Sequence, residues 1–73
     1  MEKIIKKFKE ITTEKDLRKN NLSLSDHKDL AMTLQSVIDV GSGTTLIKNV
    51  ADWCKKNGLK VQEESICYRV FNN

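Results

Sequence analysis

Residues 44–61 read TTLIKNVADWCKKNGLKV, and how this stretch folds decides the architecture of the chain. Leu46, Ile47, Val50, Ala51, Trp53 and Cys54 recur at the three-and-four spacing of one helix face, while Lys48, Asn49, Asp52, Lys55 and Lys56 fall on the other. The spacing predicts an amphipathic helix over residues 44–57. Asn57-Gly58 suits its end, because glycine adopts the left-handed conformation of a closing turn without a Cβ penalty. Lys55 and Lys56 stand in the last turn, where positive charge meets the negative end of the helix dipole.

Downstream, Leu59-Lys60-Val61-Gln62 alternates apolar and polar residues, Glu63-Glu64-Ser65 breaks the pattern, and residues 66–71 (ICYRVF) have strand propensity. Two short strands joined by about three residues predict a β-hairpin over 59–71. Ile66, Tyr68 and Val70 share one face of its second strand, and Cys67, Arg69 and Phe71 the other.

Upstream, Gly41-Ser42-Gly43 reads as a tight turn between helices. Leu30, Ala31, Leu34, Val37 and Ile38 keep helical spacing, which predicts a helix over 26–40 with Ser25 as its N-cap and Asp26 and Asp29 in its first turns. Residues 20–25, opening with Asn20-Asn21, read as a loop. Residues 1–11 place Ile4, Ile5, Phe8 and Ile11 on one helical stripe backed by lysines, and Thr13 with Asp16 resembles a capping box. The expected fold is α+β: one domain over 1–73, comprising a basic amphipathic region at 1–20 and a helix-turn-helix plus antiparallel hairpin at 22–71. Its expected core takes Ile4 and Phe8 from the first helix, Leu30, Leu34, Val37 and Ile38 from the second, and Ile47, Val50, Ala51 and Cys54 from the third. Leu59, Val61, Ile66, Tyr68 and Val70 complete it from the hairpin.

Seventy-three residues, 38% hydrophobic and 32% charged, suit one small soluble domain, and no apolar run approaches the roughly 20 residues that span a bilayer. The N-terminus is charged throughout, unlike a signal peptide, so a cytoplasmic location is expected, or the host cytoplasm for a phage product. The net charge of +3 resides in residues 1–20, which carry seven Lys or Arg against four acids; residues 21–73 carry six of each.

Catalytic constellations are lacking. His27 is the sole histidine and Cys54 and Cys67 have no ligand-like spacing, so neither a nucleophile–base pair nor a metal site is expected. Gly41-Ser42-Gly43 lacks the lysine and spacing of a phosphate-binding loop. We therefore expect neither catalysis nor a cofactor, and two reduced cysteines in or near the core.

The order helix, helix, glycine-containing turn, helix, hairpin resembles the winged helix-turn-helix layout. That resemblance implies double-stranded DNA as partner, read by residues 44–57 with the hairpin as wing. The candidate contacts are Thr45, Lys48, Asn49, Lys55, Lys56 and Lys60, with Lys3, Lys6, Lys7 and Lys9 as a basic arm. The alternative is a protein-directed inhibitor or adaptor, similar in size and composition to small phage products. Trp53 and Phe71 would then be exposed anchors, with Phe71 also a contact in a homodimer.

Overall fold

The computed structural model describes residues 1–72. Four helices and three strands follow in order: α1 (Glu2–Lys9), α2 (Glu14–Lys19), α3 (Leu24–Val40), β1 (Ser42–Thr45), α4 (Lys48–Lys56), β2 (Lys60–Glu63) and β3 (Tyr68–Phe71). The fold is α+β, and the C-terminal antiparallel hairpin forms as the alternation predicts. Val61 faces Val70 and Glu63 faces Tyr68 across it.

The basic region at 1–20 is two helices, as the Thr13–Asp16 pattern allows. The second starts at a complete capping box, in which Thr13 Oγ1 accepts the Asp16 N–H at 3.2 Å and Asp16 Oδ2 accepts the Thr13 N–H at 3.2 Å. The N-cap of α3 is Ser23, not Ser25, because Ser23 and Asp26 form the same reciprocal pair at 3.0 Å each way. Ser25 lies inside the first turn.

A larger correction concerns residues 41–47. Gly41 ends α3 as expected, at φ +86°. Beyond it the chain does not turn into another helix. Ser42–Thr45 pairs antiparallel with β3, with Gly43 opposite Val70 and Thr45 opposite Tyr68, so the sheet has three strands in the order β1-β3-β2. Two adjacent β-branched threonines favour extended backbone, and α4 begins only at Lys48, after Ile47. The expected helix-turn-helix over 26–57 is thus a helix, a strand and a shorter helix.

α3 holds β1 closely. Ser36 Oγ donates to the Ser42 carbonyl at 2.8 Å, and Thr33 Oγ1 to the Thr44 carbonyl at 3.4 Å, so hydroxyls of the helix cover a strand edge that would otherwise stand open. Gly43 permits this approach: a Cβ there would sit 2.7 Å from the Thr33 carbonyl oxygen. Thr45 Oγ1 donates to the Asp29 carboxylate and accepts the Ile47 N–H at 3.0 Å, which fixes the passage from strand into α4.

The core lies between the sheet's inner face and the helices. Leu30, Leu34 and Val37 of α3, Val50, Trp53 and Cys54 of α4, and Leu59 and Val70 are buried, joined by Ile11 and Leu22. Burial, and secondly the Asp29 carboxylate, push the Cys54 thiol up to about 12. Of the expected core, Ile38 and Ile66 fail. Ile38 is 49% exposed beside Met1 and Ile5 on an open groove, and Ile66 is 82% exposed because it lies in the hairpin turn rather than in β3. Ile4, Phe8, Ile47, Val61 and Tyr68 are half-buried at the margin. His27 stacks on Phe8, ring centroids 4.8 Å apart, so it packs α1 against the start of α3.

Two carboxyls tie stability to acid pH. The Thr12 backbone N–H, and then Thr13, hold Asp16 below its ordinary value of 3.8; the Arg69 guanidinium, and then Cys67, hold Glu64 below 4.5. A carboxyl depressed by folding contributes stability that is present above its unfolded pKa and is lost as pH falls through its folded one. Helicity should therefore decline below about pH 4. Asp16→Asn should flatten that acid limb in a circular-dichroism titration; an unchanged limb would mean the box contributes nothing there.

Candidate nucleic-acid interface

α4 turns Val50, Ala51, Trp53 and Cys54 inward, which leaves Lys48, Asn49, Asp52, Lys55 and Lys56 exposed as the spacing predicts. These five residues do not form one surface. Lys48 and Lys55 face the hairpin, in a shallow hollow shared with Asp52, Glu63 and Tyr68. Its two cations are offset by two carboxylates, and Lys48 Nζ already bonds Asp52 Oδ2 at 2.9 Å. That hydrogen bond raises the Lys48 pKa.

Asn49 and Lys56 face the other way. With Asp52, Trp53 and Asn57 they form one wall of a cleft of about 670 Å³ whose other wall is Lys7 of α1 and Asn20-Asn21 of the α2–α3 turn. Several amides are held in place here. Trp53 Nε1 donates to Asn20 Oδ1 at 3.0 Å, Asn20 Nδ2 donates to the Asp16 carbonyl at 2.8 Å, and Asn57 Nδ2 donates to the Trp53 carbonyl at 2.8 Å. Asn21 closes the turn at φ +57°, a conformation asparagine tolerates. Among the described residues, the side-chain amides of Asn21 and Asn49 bond to no other group of the chain, so their donors and acceptors are open to the cleft. The one carboxylate on the wall, Asp52, is already partnered by Lys48. The cleft thus offers two cations and unengaged amides, which is the chemistry of phosphate and base-edge contacts.

The other expected contacts separate. Thr45 is 3% exposed and bonded to Asp29, so it contacts no ligand. Lys60 lies on the outer sheet face, in register with Phe71 and away from α4. Of the basic arm, Lys7 enters the cleft, Lys3 stands one turn before it, and Lys6 and Lys9 border the groove beside Ile38. Trp53, expected as an exposed anchor, is 4% exposed and shows only an edge to the cleft. Phe71 is half-buried, with Lys60 Nζ 5.8 Å from its ring centroid. The hairpin turn carries Glu64, bonded to Arg69 at 3.2 Å, and projects Ile66; it presents no cation to phosphate.

Asn20 and Asn21 read only as a loop in the sequence. Their place in the cleft depends on α1 and α4 meeting there, which no local pattern encodes. Among the described residues no group of three or more His, Cys, Asp or Glu could hold a metal, and no helix is long and apolar enough to cross a membrane. Compared with protein-family models, curated proteins and solved structures, the chain matches none.

Proposed function

We propose that this protein is a non-enzymatic nucleic-acid-binding protein that grips the backbone of double-stranded DNA in the cleft between α1 and α4. One observation carries the reading: Lys7 and Lys56, from the first and last helices, converge on one polar cleft whose own carboxylate, Asp52, is already partnered, with Glu10 and Asp16 in the hollow that continues it past Lys7. Lysines on both walls suit a strand of phosphates lying between them, and Asn49 is the α4 residue placed to reach a base edge. The acidic hairpin turn takes no part, so the contact differs from that of a wing.

Titration of a mixed-sequence duplex at increasing salt tests this. Binding should weaken steeply with salt, and Lys7→Ala and Lys56→Ala should each weaken it and lower the log–log salt slope by about one. Lys55→Ala, facing the neutral hollow, should do less. No binding at low salt, or equal effects from all three substitutions, would contradict the reading.

The alternative, a protein-directed inhibitor or adaptor, draws on a different feature. Leu46 at 75% exposure and Ile66 at 82% stand at the same end of the sheet, just beyond the Thr45–Tyr68 pair. Exposed aliphatics this close suit a protein contact. Capture of a partner that is lost on Leu46→Ser and Ile66→Ser, and insensitive to salt, would favour it.

A further inference from the structure

The sheet is covered on one side only. Its inner face packs Val70, Val61 and Thr45 toward α3 and α4. The strand registers place Ser42, Thr44, Lys60, Gln62, Arg69 and Phe71 together on the outer face, where no helix lies over them. By register its strands contribute two cations, Lys60 and Arg69, and no carboxylate; the Glu64 carboxylate reaches Arg69 from the hairpin turn, which leaves Lys60 as the uncompensated cation. Phe71 is on the central strand, with Lys60 beside it on β2 and Arg69 one row along on β3. Arg69 uses Nε and Nη2 on Glu64, at 3.2 and 3.3 Å, which fixes the plane of the guanidinium and leaves its remaining donors free. Gln62, Ser42 and Thr44 add short hydrogen-bonding groups around the ring.

We infer that the outer sheet face is a second nucleic-acid site, which takes a single strand by stacking a base on Phe71 with Lys60 and Arg69 on the adjoining phosphates. An aromatic ring with a free lysine beside it and open arginine donors one row along matches a polyanion that carries flat apolar rings, and stacking of this kind tolerates any base. A duplex fits poorly, because its bases are already stacked on one another and their faces are closed. A second copy of the chain also fits poorly, since two such faces brought together cover both Lys60 charges with no free carboxylate to meet them. Lys60 now stands over the ring. An entering base displaces its ammonium, and the flexible stem leaves that charge within reach of the phosphate. The site shares no residue with the cleft and does not depend on the duplex reading.

Anisotropy of labelled 12-nucleotide oligo-dT and oligo-U, with a duplex of equal length as control, tests the inference at low salt. Phe71→Leu keeps an apolar side chain but removes the stacking face. It should weaken single-strand binding roughly tenfold, the loss of one stacked base, and leave duplex binding unchanged; Phe71→Tyr should restore it. Lys60→Glu alters an exposed side chain and leaves packing alone, so it serves whether or not Phe71→Leu folds, and it should weaken the single strand by at least as much. Trp53, which borders the cleft and not the sheet's outer face, should keep its emission when the single strand binds. The inference is overturned by absent single-strand binding or by full affinity in Lys60→Glu. It is equally overturned by Trp53 emission that changes in step with single-strand binding, an outcome that would move the strand to the cleft and leave the duplex reading intact.

Discussion

Leu30→Ala is expected to remove about 2–5 kcal/mol of stability, as truncation of a fully buried leucine does. Leu30 is 0% exposed and belongs to the cluster in which α3 meets α4 and β3. The cost combines lost transfer of the isobutyl group from water with the cavity it leaves. That cavity cannot close easily, because α3 is tied to the sheet edge by Thr33 and Ser36 and to α4 through Asp29 and Thr45. For a chain of this length, total stability is on the order of 4–11 kcal/mol, so the variant should be partly unfolded at 37 °C. Denaturant unfolding followed at 222 nm measures it. Ile38→Ala is the control: at 49% exposure on the open groove, it should cost well under about 1 kcal/mol. Equal losses at the two positions would mean that α3 is rotated about its axis relative to the arrangement described.

Gly43→Ala is expected to cost about 1–3 kcal/mol, the range for an overpacked site. The added methyl would lie 2.7 Å from the Thr33 carbonyl oxygen and 3.2 Å from Ser36 Cβ. The first is backbone in the middle of a helix and cannot rotate away, so strand and helix must separate. Separation lengthens the Ser36–Ser42 and Thr33–Thr44 hydrogen bonds and loosens β1 from α3. Glycine is needed here for space, not for backbone freedom; among the glycines, positive φ values are at Gly41 and Gly58. Gly58→Ala meets no neighbouring atom and should cost only the strain of its left-handed backbone. The two variants compared by thermal unfolding separate the mechanisms. A Gly43→Ala protein as stable as the parent would show that β1 does not lie against α3.

What could be read from the sequence follows the range of the interactions involved. Helix ends at Gly41 and Asn57-Gly58, the Thr13–Asp16 box and the hairpin all depend on residues within a few positions of one another, and local pattern suffices for them. β1 does not: its partner β3 lies more than twenty residues on, and Ser42–Thr45 presents only four residues of small side chain. Leu46 and Ile47 extend the apolar spacing of α4 and so draw Thr44 and Thr45 into the expected helix, yet Leu46 is exposed and Ile47 only half-buried. β-branching was the available counter-signal. Thr33 and Thr45 are buried because each finds a hydrogen-bond partner across the α3–β1 contact, a pairing invisible before that contact is known.

The candidate site divides in the same way. Periodicity alone placed Lys48, Asn49, Lys55 and Lys56 outward on α4. It could not divide them between a neutral hollow and a cationic cleft, since that division comes from Glu63 on one side and Lys7 on the other. Lys60 falls away from α4, which local pattern does not show because a strand's faces cannot be assigned until its register is fixed; the Lys60–Phe71 pairing puts it on the far side of the sheet.

The proposed entry of duplex DNA between α1 and α4 would bring it against Trp53. Trp53 is the one tryptophan of the chain, and its indole N–H, bonded to Asn20, lies on the cleft wall. Its emission during titration with a duplex at low salt is therefore the most direct test. Entry into the cleft should give a saturable change in Trp53 emission that shifts to higher duplex concentration in Lys7→Ala and in Lys56→Ala. Duplex binding detected by anisotropy while Trp53 emission stays constant would contradict it.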